Sequence, residues 1–189
     1  MKRTKYLLLA CFIGASPWAA AQLSYTNVGA GYVLDGEYDL IGVDLDGFMF
    51  SGSVAVTPNV YILGDVQFLE SDPGNVDFDR IDLGVGYHMP VGSNVDFDGS
   101  FSFSDIEVGS LDGDGFQLQG GLRGMPTSQF EWSAYLIYED LDLDNIGGDS
   151  DVGFSVGGRY FFSSHASVGG NLRDVSDVET LTVSVRFDF

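Results

Sequence analysis

Apolar and polar residues alternate along most of the chain after residue 22, and this alternation predicts β-strands. Successive side chains of an extended chain point to opposite faces, so a period of two separates an apolar face from a polar face. In the C-terminal segment LTVSVRFDF, every second residue from Leu181 to Phe189 is apolar, and Thr, Ser, Arg and Asp lie between them. Similar alternation recurs in earlier segments, and we predict about ten strands in all.

The connections between the alternating segments are of two kinds that follow one another in turn. Tight turns, most of which carry proline, are predicted at residues 57–59, 90–94, 126–129 and 163–165. The other connections are predicted to be longer loops rich in Asp and Gly, with the sequences LDGEYD, ESDPGNVD, EVGSLDGDG, DLDNIGGDSD and DVSD. This arrangement places both ends of residues 22–189 on the side of the tight turns.

Two architectures have strands in which apolar and polar residues alternate throughout, a sandwich and a membrane barrel, and the polar faces distinguish them. A sandwich turns its polar face to bulk water, where Lys and Glu are common, but these faces carry Gly, Ser, Gln and Arg. A guanidinium facing lipid costs roughly 2–4 kcal/mol at the bilayer midplane, and every arginine after residue 22 has the polar parity. We therefore predict an all-β fold, a closed antiparallel up-and-down transmembrane β-barrel of about ten strands, with eight as the alternative.

The first 21 residues have the layout of a secretory signal peptide. Lys2, Arg3 and Lys5 precede an apolar stretch, and the small run 19–21 follows it. Cleavage after Ala21 leaves residues 22–189 as the barrel. A lipoprotein signal ending at Cys11 is the rival interpretation. Cys11 is the only cysteine, so the exported chain is predicted to lack disulfides.

Charge and composition exclude several classes of protein. After removal of the signal, five arginines and no lysine face 28 acids, a formal charge of −23. Nucleic acid is therefore excluded as a partner. The content of apolar residues, 44%, and of aromatic residues, 14%, is too high for a disordered acidic tail. No stretch after the signal approaches the roughly 18 apolar residues of a transmembrane helix.

A C-terminal strand that alternates and ends on phenylalanine resembles the assembly signal of bacterial outer-membrane β-barrel proteins. The signal residues are Val183, Val185, Phe187 and Phe189, and the segment GFMFSGSVAVTPNVYILGDVQF resembles a hairpin of small porin-like barrels. The resemblance implies Sec export, insertion by the outer-membrane assembly machinery, and contact with outer-membrane lipid and lipopolysaccharide. It implies no activity, because that family includes enzymes, channels and adhesins.

The polar parity also predicts a network of charged side chains inside the barrel. Such a mixture fills a narrow lumen by pairing, or it lines a selective pore. Glycines of the same parity are expected to leave room for arginine side chains or water. The predicted members of the network are Asp65, Arg80, Asp82, Asp96, Asp98, Arg123, Glu131, Arg159, Arg173 and Arg186.

Histidine catalysis is not favoured. The outer-membrane proteases and lipid A deacylases of the family need a histidine near the extracellular rim, whereas His88 and His165 lie at predicted tight turns. We predict structural roles for both, with His88 facing Asp96, and we predict no catalytic residue and no cofactor. A hydrolase that uses rim carboxylates, such as Asp44, Asp46, Asp142 or Asp144, is the least favoured alternative.

The density of carboxylates in the acidic segments raises the question of cation binding, because Ca²⁺ and Mg²⁺ prefer oxygen ligands. Solvated charge is the competing interpretation. A weak divalent site is predicted at Asp140, Asp142, Asp144, Asp149 and Asp151. The sequence as a whole favours a non-enzymatic outer-membrane barrel with acidic extracellular loops and a structural or surface-interaction role. A narrow porin-like channel for ions or small solutes is the main alternative.

Overall fold

A computed structural model of the chain describes residues 23–38, 43–72, 76–143, 147–176 and 178–189. The predicted signal peptide and its cleavage site lie outside these ranges. The strands are β1 (Asn27–Tyr38), β2 (Val43–Ala55), β3 (Val60–Asp72), β4 (Asp77–Gly92), β5 (Val95–Val108), β6 (Leu111–Thr127), β7 (Phe130–Leu143), β8 (Gly147–Phe161), β9 (Ala166–Val175) and β10 (Val178–Asp188).

Each strand pairs antiparallel with its neighbours in the chain, and β1 pairs with β10, so the sheet closes into a ten-stranded barrel. This confirms the predicted up-and-down barrel of ten strands, and the alternative of eight strands is wrong. Closure leaves no unpaired sheet edge. Within the described ranges, no helix is long and apolar enough to cross a membrane.

The outer surface of the barrel is apolar and the inner surface is largely polar, as the parity of the strands predicts. Phe103, Leu136 and Val152 expose about two thirds of their surface to the outside, at 67%, 69% and 66%. Arg80 and Arg123, which have the opposite parity, are buried inside. An apolar band around a closed barrel is the surface that a bilayer solvates.

The two rims of the barrel differ in sequence. The terminal rim carries the connections at residues 56–59, 93–94, 128–129 and 162–165, together with both ends of the described barrel. The acidic rim, at the opposite end, carries the connections predicted as long acidic loops. This prediction of length is wrong, because strands extend into those segments and the connection from β5 to β6 is only residues 109–110.

Backbone pairing explains why the acidic segments remain strands. Val108 pairs with Leu111 across the turn, and Gly109 has a φ of 64°, a left-handed conformation that favours glycine. The pairing sets Glu107 opposite Asp112, so the hydrogen bonds of the hairpin form despite repulsion between like charges.

Lumen glycines have two different roles. A Cβ atom on Gly169 would lie 2.9 Å from the Gly158 carbonyl oxygen and 3.2 Å from the Cζ atom of Arg159, so this glycine allows close packing on β8 and also leaves room for an arginine. A Cβ atom on Gly84 would instead meet the β5 strand, 2.8 Å from the Cβ atom of Ser102. At Gly84 the missing side chain allows close packing of β4 on β5 and leaves no room for arginine or water.

Near the acidic rim, apolar side chains fill the inside of the barrel. Val33, Leu45 and Leu69 form a buried cluster, here called the apolar cap, with exposures of 2%, 3% and 1%. Val43, Phe78 and Val178 pack against the cap. The lumen is thus polar over most of its length and apolar at one end.

Candidate functional site in the barrel lumen

The charged side chains of the lumen form two separate networks. The network nearer the terminal rim is centred on Glu131 of β7. Arg123 of β6 and Arg186 of β10 each donate two hydrogen bonds to the Glu131 carboxylate, at 2.8–3.0 Å. Arg186 also pairs with Asp188, with 2.8 Å between Nε and Oδ1. We call these four residues the lower network.

The second network lies nearer the apolar cap and is centred on Arg80 of β4 and Glu139 of β7. The Nη2 atom of Arg80 lies 2.6 Å from Oε1 of Glu139, and its Nε atom donates to Asp82 at 2.8 Å. Arg173 of β9 donates to the same Glu139 atom at 3.0 Å and to Gln117 at 2.6 Å. Arg80, Asp82, Gln117, Glu139 and Arg173 are called the upper network.

Tyrosines bind two further predicted aspartates near the terminal rim, Asp98 and Asp96. The hydroxyl groups of Tyr61 and Tyr135 donate to the two carboxylate oxygens of Asp98, at 2.6 and 2.9 Å. Each bond spans one intervening strand, because Tyr61 lies on β3, Asp98 on β5 and Tyr135 on β7. They close part of the lumen with aromatic rings.

His88 and Asp96 are in contact at the terminal rim. The Nδ1 atom of His88 lies 3.1 Å from Oδ2 of Asp96, and the Tyr25 hydroxyl donates to the same oxygen at 3.1 Å. The rings of His88 and Tyr25 stack with 3.6 Å between centroids. His165, in the turn before β9, lies with its Nδ1 atom 3.0 Å from the Asp188 carbonyl oxygen. Both histidines make contacts typical of structural roles.

A cavity of about 300 Å³ lies among the lumen side chains. Members of both networks line it, namely Arg123, Glu131 and Arg186 of the lower network and Arg173 of the upper network. Asp65 of β3 and Arg159 of β8 also line it, but neither forms an ion pair with any described residue. The structure thus places seven of the ten predicted network residues in contact with one another or with tyrosines. Arg173 contacts Glu139 and Gln117 instead, and Asp65 and Arg159 remain apart.

The C-terminal residues of the predicted assembly signal face outward on β10. Val183, Val185 and Phe187 are exposed at 41%, 46% and 51%, and Phe189 follows the strand at 77%. The Phe189 backbone N–H donates to the Thr26 carbonyl oxygen at 3.0 Å, which joins the two ends of the barrel.

The residues of the predicted divalent site are only partly described. Asp144 lies outside the described ranges, and so does the side chain of Asp149. Asp140 and Asp142 lie on β7, and Asp151 on β8 accepts hydrogen bonds from the backbone of Val152 and Ser176. Among the described residues no group of three or more acidic, histidine or cysteine side chains is arranged to hold a metal ion. The divalent site remains a prediction.

Sequence reasoning missed the apolar cap and underrated the tyrosines. The signal for the cap was present, because Phe68-Leu69 is an adjacent apolar pair, and one member must face the lumen. Leu69 is only 1% exposed. Which aspartate each tyrosine binds depends on the strands that face each other across the barrel, and no local pattern carries that information.

No family model matches the chain, and no curated protein sequence matches it. Solved structures do. An outer membrane channel from Pseudomonas putida has a TM-score of 0.53 at 10% identity, covering 93% of this chain and 100% of that one. The β-domain of the Bordetella autotransporter Brka has a TM-score of 0.53 at 7% identity, covering 88% of this chain and 100% of that one.

A loop-deletion variant of OmpT, an outer membrane protein of Vibrio cholerae, has a TM-score of 0.42 at 12% identity. That alignment covers 89% of this chain and 60% of the Vibrio protein, so the chain spans about three fifths of its length. At such identities a likeness concerns the fold. The closed ten-stranded barrel, its apolar outer band and its match over the full length of two outer-membrane barrels identify the chain as a protein with the outer-membrane β-barrel fold.

Proposed function

We propose that the chain is an integral protein of the bacterial outer membrane whose lumen is closed by its own side chains, with a structural or surface-interaction role. The observation that carries the proposal is the filling of the lumen. The apolar cap, the upper network and the lower network follow one another along the barrel. Buried ion pairs with several hydrogen bonds resist disruption, because removing either partner leaves an unpaired charge.

The proposed orientation sets the terminal rim in the periplasm and the acidic rim outside the cell, facing the medium and lipopolysaccharide. The signal peptide, cleaved after Ala21, supports Sec export, and the outward row Val183, Val185 and Phe187, with Phe189 after it, supports recognition by the outer-membrane assembly machinery. The Asp-rich ends of the strands at the acidic rim, here called the acidic strand extensions, would then be the surface available to partners and to divalent cations.

A non-enzymatic role is supported by the contacts of both histidines. His88 is held by Asp96 and Tyr25, and His165 by the backbone of Asp188. Both lie at the terminal rim, on the periplasmic side in the proposed orientation. A hydrolase that acts on external substrates would need its catalytic groups at the acidic rim.

A narrow channel for ions or small solutes is the second candidate. The cavity of about 300 Å³ favours it, because this volume holds roughly ten water molecules and ten strands enclose more space than the eight that side chains just fill. The Pseudomonas putida barrel of similar fold is a channel, and its sequence is 10% identical to that of this chain.

Conductance of the refolded protein in a planar bilayer separates the two candidates. We expect no steady conductance from the wild type. A variant that replaces by Ser the charged members of both networks (Arg80, Asp82, Arg123, Glu131, Glu139, Arg173, Arg186 and Asp188), together with Leu45 and Leu69 of the apolar cap, should conduct, since it removes equal numbers of positive and negative charges and opens all three layers. The control replaces outward-facing Val85, Val156 and Val183 by Ala. A wild type that conducts steadily, with little change in the variant that lacks the ion-pair groups, would support the channel instead.

A further inference from the structure

The central cavity has charged groups of opposite sign on opposite walls. Asp65 lies on β3 and Arg159 on β8, and five strand-to-strand steps separate β3 from β8 in either direction around the barrel. A ten-stranded barrel with ordinary strand spacing and tilt is about 20 Å across between backbones. An arginine and an aspartate reaching inward from opposite walls leave a gap between their charged ends.

Among the arginines of the described barrel, Arg159 is the one without a counter-ion. In the described part of the chain, Arg80, Arg123, Arg173 and Arg186 each pair with a carboxylate. Arg159 instead donates to hydroxyl groups, to Ser184 at 2.9 Å and to Ser167 at 3.3 Å. Its guanidinium has five N–H groups, so donors remain for a further acceptor.

Asp65 is the predicted lumen carboxylate to which no described group donates a hydrogen bond. The other predicted lumen acids, Asp82, Asp96, Asp98 and Glu131, all accept hydrogen bonds, whereas no described group donates to Asp65. Asp65 is partly buried and lines the cavity. A carboxylate in such a confined place is costly unless a donor or a cation satisfies it.

The wall around Arg159 offers further donors. The Oδ1 atom of Asn171 accepts a hydrogen bond from Ser155 at 2.9 Å, so the amide N–H groups of Asn171 are available to another acceptor. The Ser133 and Thr182 hydroxyl groups also line the cavity. These neutral donors complement the guanidinium and suit the two oxygens of a carboxylate.

We infer that the central cavity binds a small zwitterion, whose carboxylate pairs with Arg159 and whose ammonium group pairs with Asp65. Its two charges would be separated by a few carbon atoms, as the opposite walls require. A simple anion satisfies Arg159 but leaves Asp65 without a partner, and a simple cation does the reverse. The inference does not rest on the proposed function, because it concerns the cavity and holds whether or not the lumen conducts.

Equilibrium dialysis of the barrel refolded in detergent micelles, over a range of probe concentrations, tests the inference with three probes of similar length. These are 4-aminobutanoate, butanoate and butylammonium, and refolding in the presence of each probe ensures that a closed lumen does not exclude it. We expect 4-aminobutanoate to bind at least ten times more tightly than either singly charged probe. Butanoate binding as tightly as 4-aminobutanoate, or no binding of the zwitterion, would overturn the inference.

Two variants locate the site. Arg159→Gln should lower the affinity for 4-aminobutanoate at least tenfold, and Asp65→Asn should reduce it to the affinity for butanoate. Asp35→Asn, an exposed outward position, is the control and should bind as the wild type does. Circular dichroism and the heat-dependent gel mobility of the barrel report folding. If Arg159→Gln does not fold, the probe series on the wild type and Asp65→Asn still decides, and unchanged selectivity in folded Asp65→Asn would contradict the inference.

Discussion

At the scale of single residues, Glu131 shows how the lumen is stabilised. Its carboxylate accepts hydrogen bonds from Arg123 and Arg186, and the side chain is almost fully buried. Because one carboxylate pairs with two arginines, it offsets the free-energy cost of burying both guanidinium groups. The cost of losing it is correspondingly larger than the cost of losing an exposed glutamate.

The variant Glu131→Gln tests this role. A neutral amide leaves two buried guanidinium groups without a full counter-charge, so we expect the free energy of unfolding to fall by about 3–5 kcal/mol. Urea unfolding of the refolded barrel in detergent or lipid measures it. Glu37→Gln, at an exposed position, is the matched control. Equal unfolding midpoints for the two variants would show that the lower network contributes little to stability.

At the scale of a strand, one step along the chain exchanges the lipid face for the lumen face. Val85 of β4 is 48% exposed on the outer surface, whereas Gln119 of β6 has the inward parity of its neighbours Gln117 and Arg123. Val85→Arg should lower the yield of folding into bilayers, because a guanidinium costs roughly 2–4 kcal/mol at the midplane. Gln119→Arg adds the same group to the lumen and should fold nearly normally. Equal yields would refute the assignment of faces.

Repulsion between aspartates in the acidic strand extensions leads to a second prediction at this scale. Asp114 of β6 lies opposite Asp105 on β5 and opposite Asp142 on β7. Like charges directly opposite one another on neighbouring strands are destabilising, so Asp114→Asn should raise the unfolding free energy by about 0.2–1 kcal/mol at low ionic strength. The gain should shrink in high salt as screening increases. Asp35→Asn, whose β10 partner is Leu181, is the control. A destabilised Asp114→Asn variant would contradict the expected repulsion.

At the scale of the whole molecule, the ends of the chain close the barrel. β10 pairs with β1 from Asp188 to Val178, and the Phe189 backbone bonds to Thr26 beyond the last pair. Closure of this seam is what removes the open sheet edge that lipid forbids. The outward row that ends at Phe189 is also the part of the chain that we propose the assembly machinery recognises.

Deletion of Phe189 should therefore leave the exported chain unassembled in the periplasm, with much less protein in the outer membrane. Membrane fractionation and heat-dependent gel mobility measure this. The control is Ser164→Ala, at an exposed position in the turn between β8 and β9. It alters the terminal rim but leaves the assembly signal intact. Normal outer-membrane levels of the truncated chain would contradict the role of Phe189.

The sequence alone determined that the chain is an all-β barrel of about ten strands and which face of each strand is apolar, because alternation is a local property. Alternation has a period of two along each strand, and the polar parity of Arg80, Arg123 and Arg159 identifies the lumen wherever the strand lies in the barrel. The sequence pattern predicted the structure less well at the acidic rim. There the Asp-Gly composition of EVGSLDGDG is typical of a loop, but backbone pairing with neighbouring strands continues the hairpin.

The tertiary structure alone decided which charges pair and where space remains. The parity names the residues that face inward, but their neighbours across the lumen depend on strand number and stagger, which bring Arg186 of β10 to Glu131 of β7. The same geometry leaves Asp65 and Arg159 on opposite walls with a cavity between them. Contacts across a barrel join residues far apart in the chain, and a repeating local pattern carries no information about their distance.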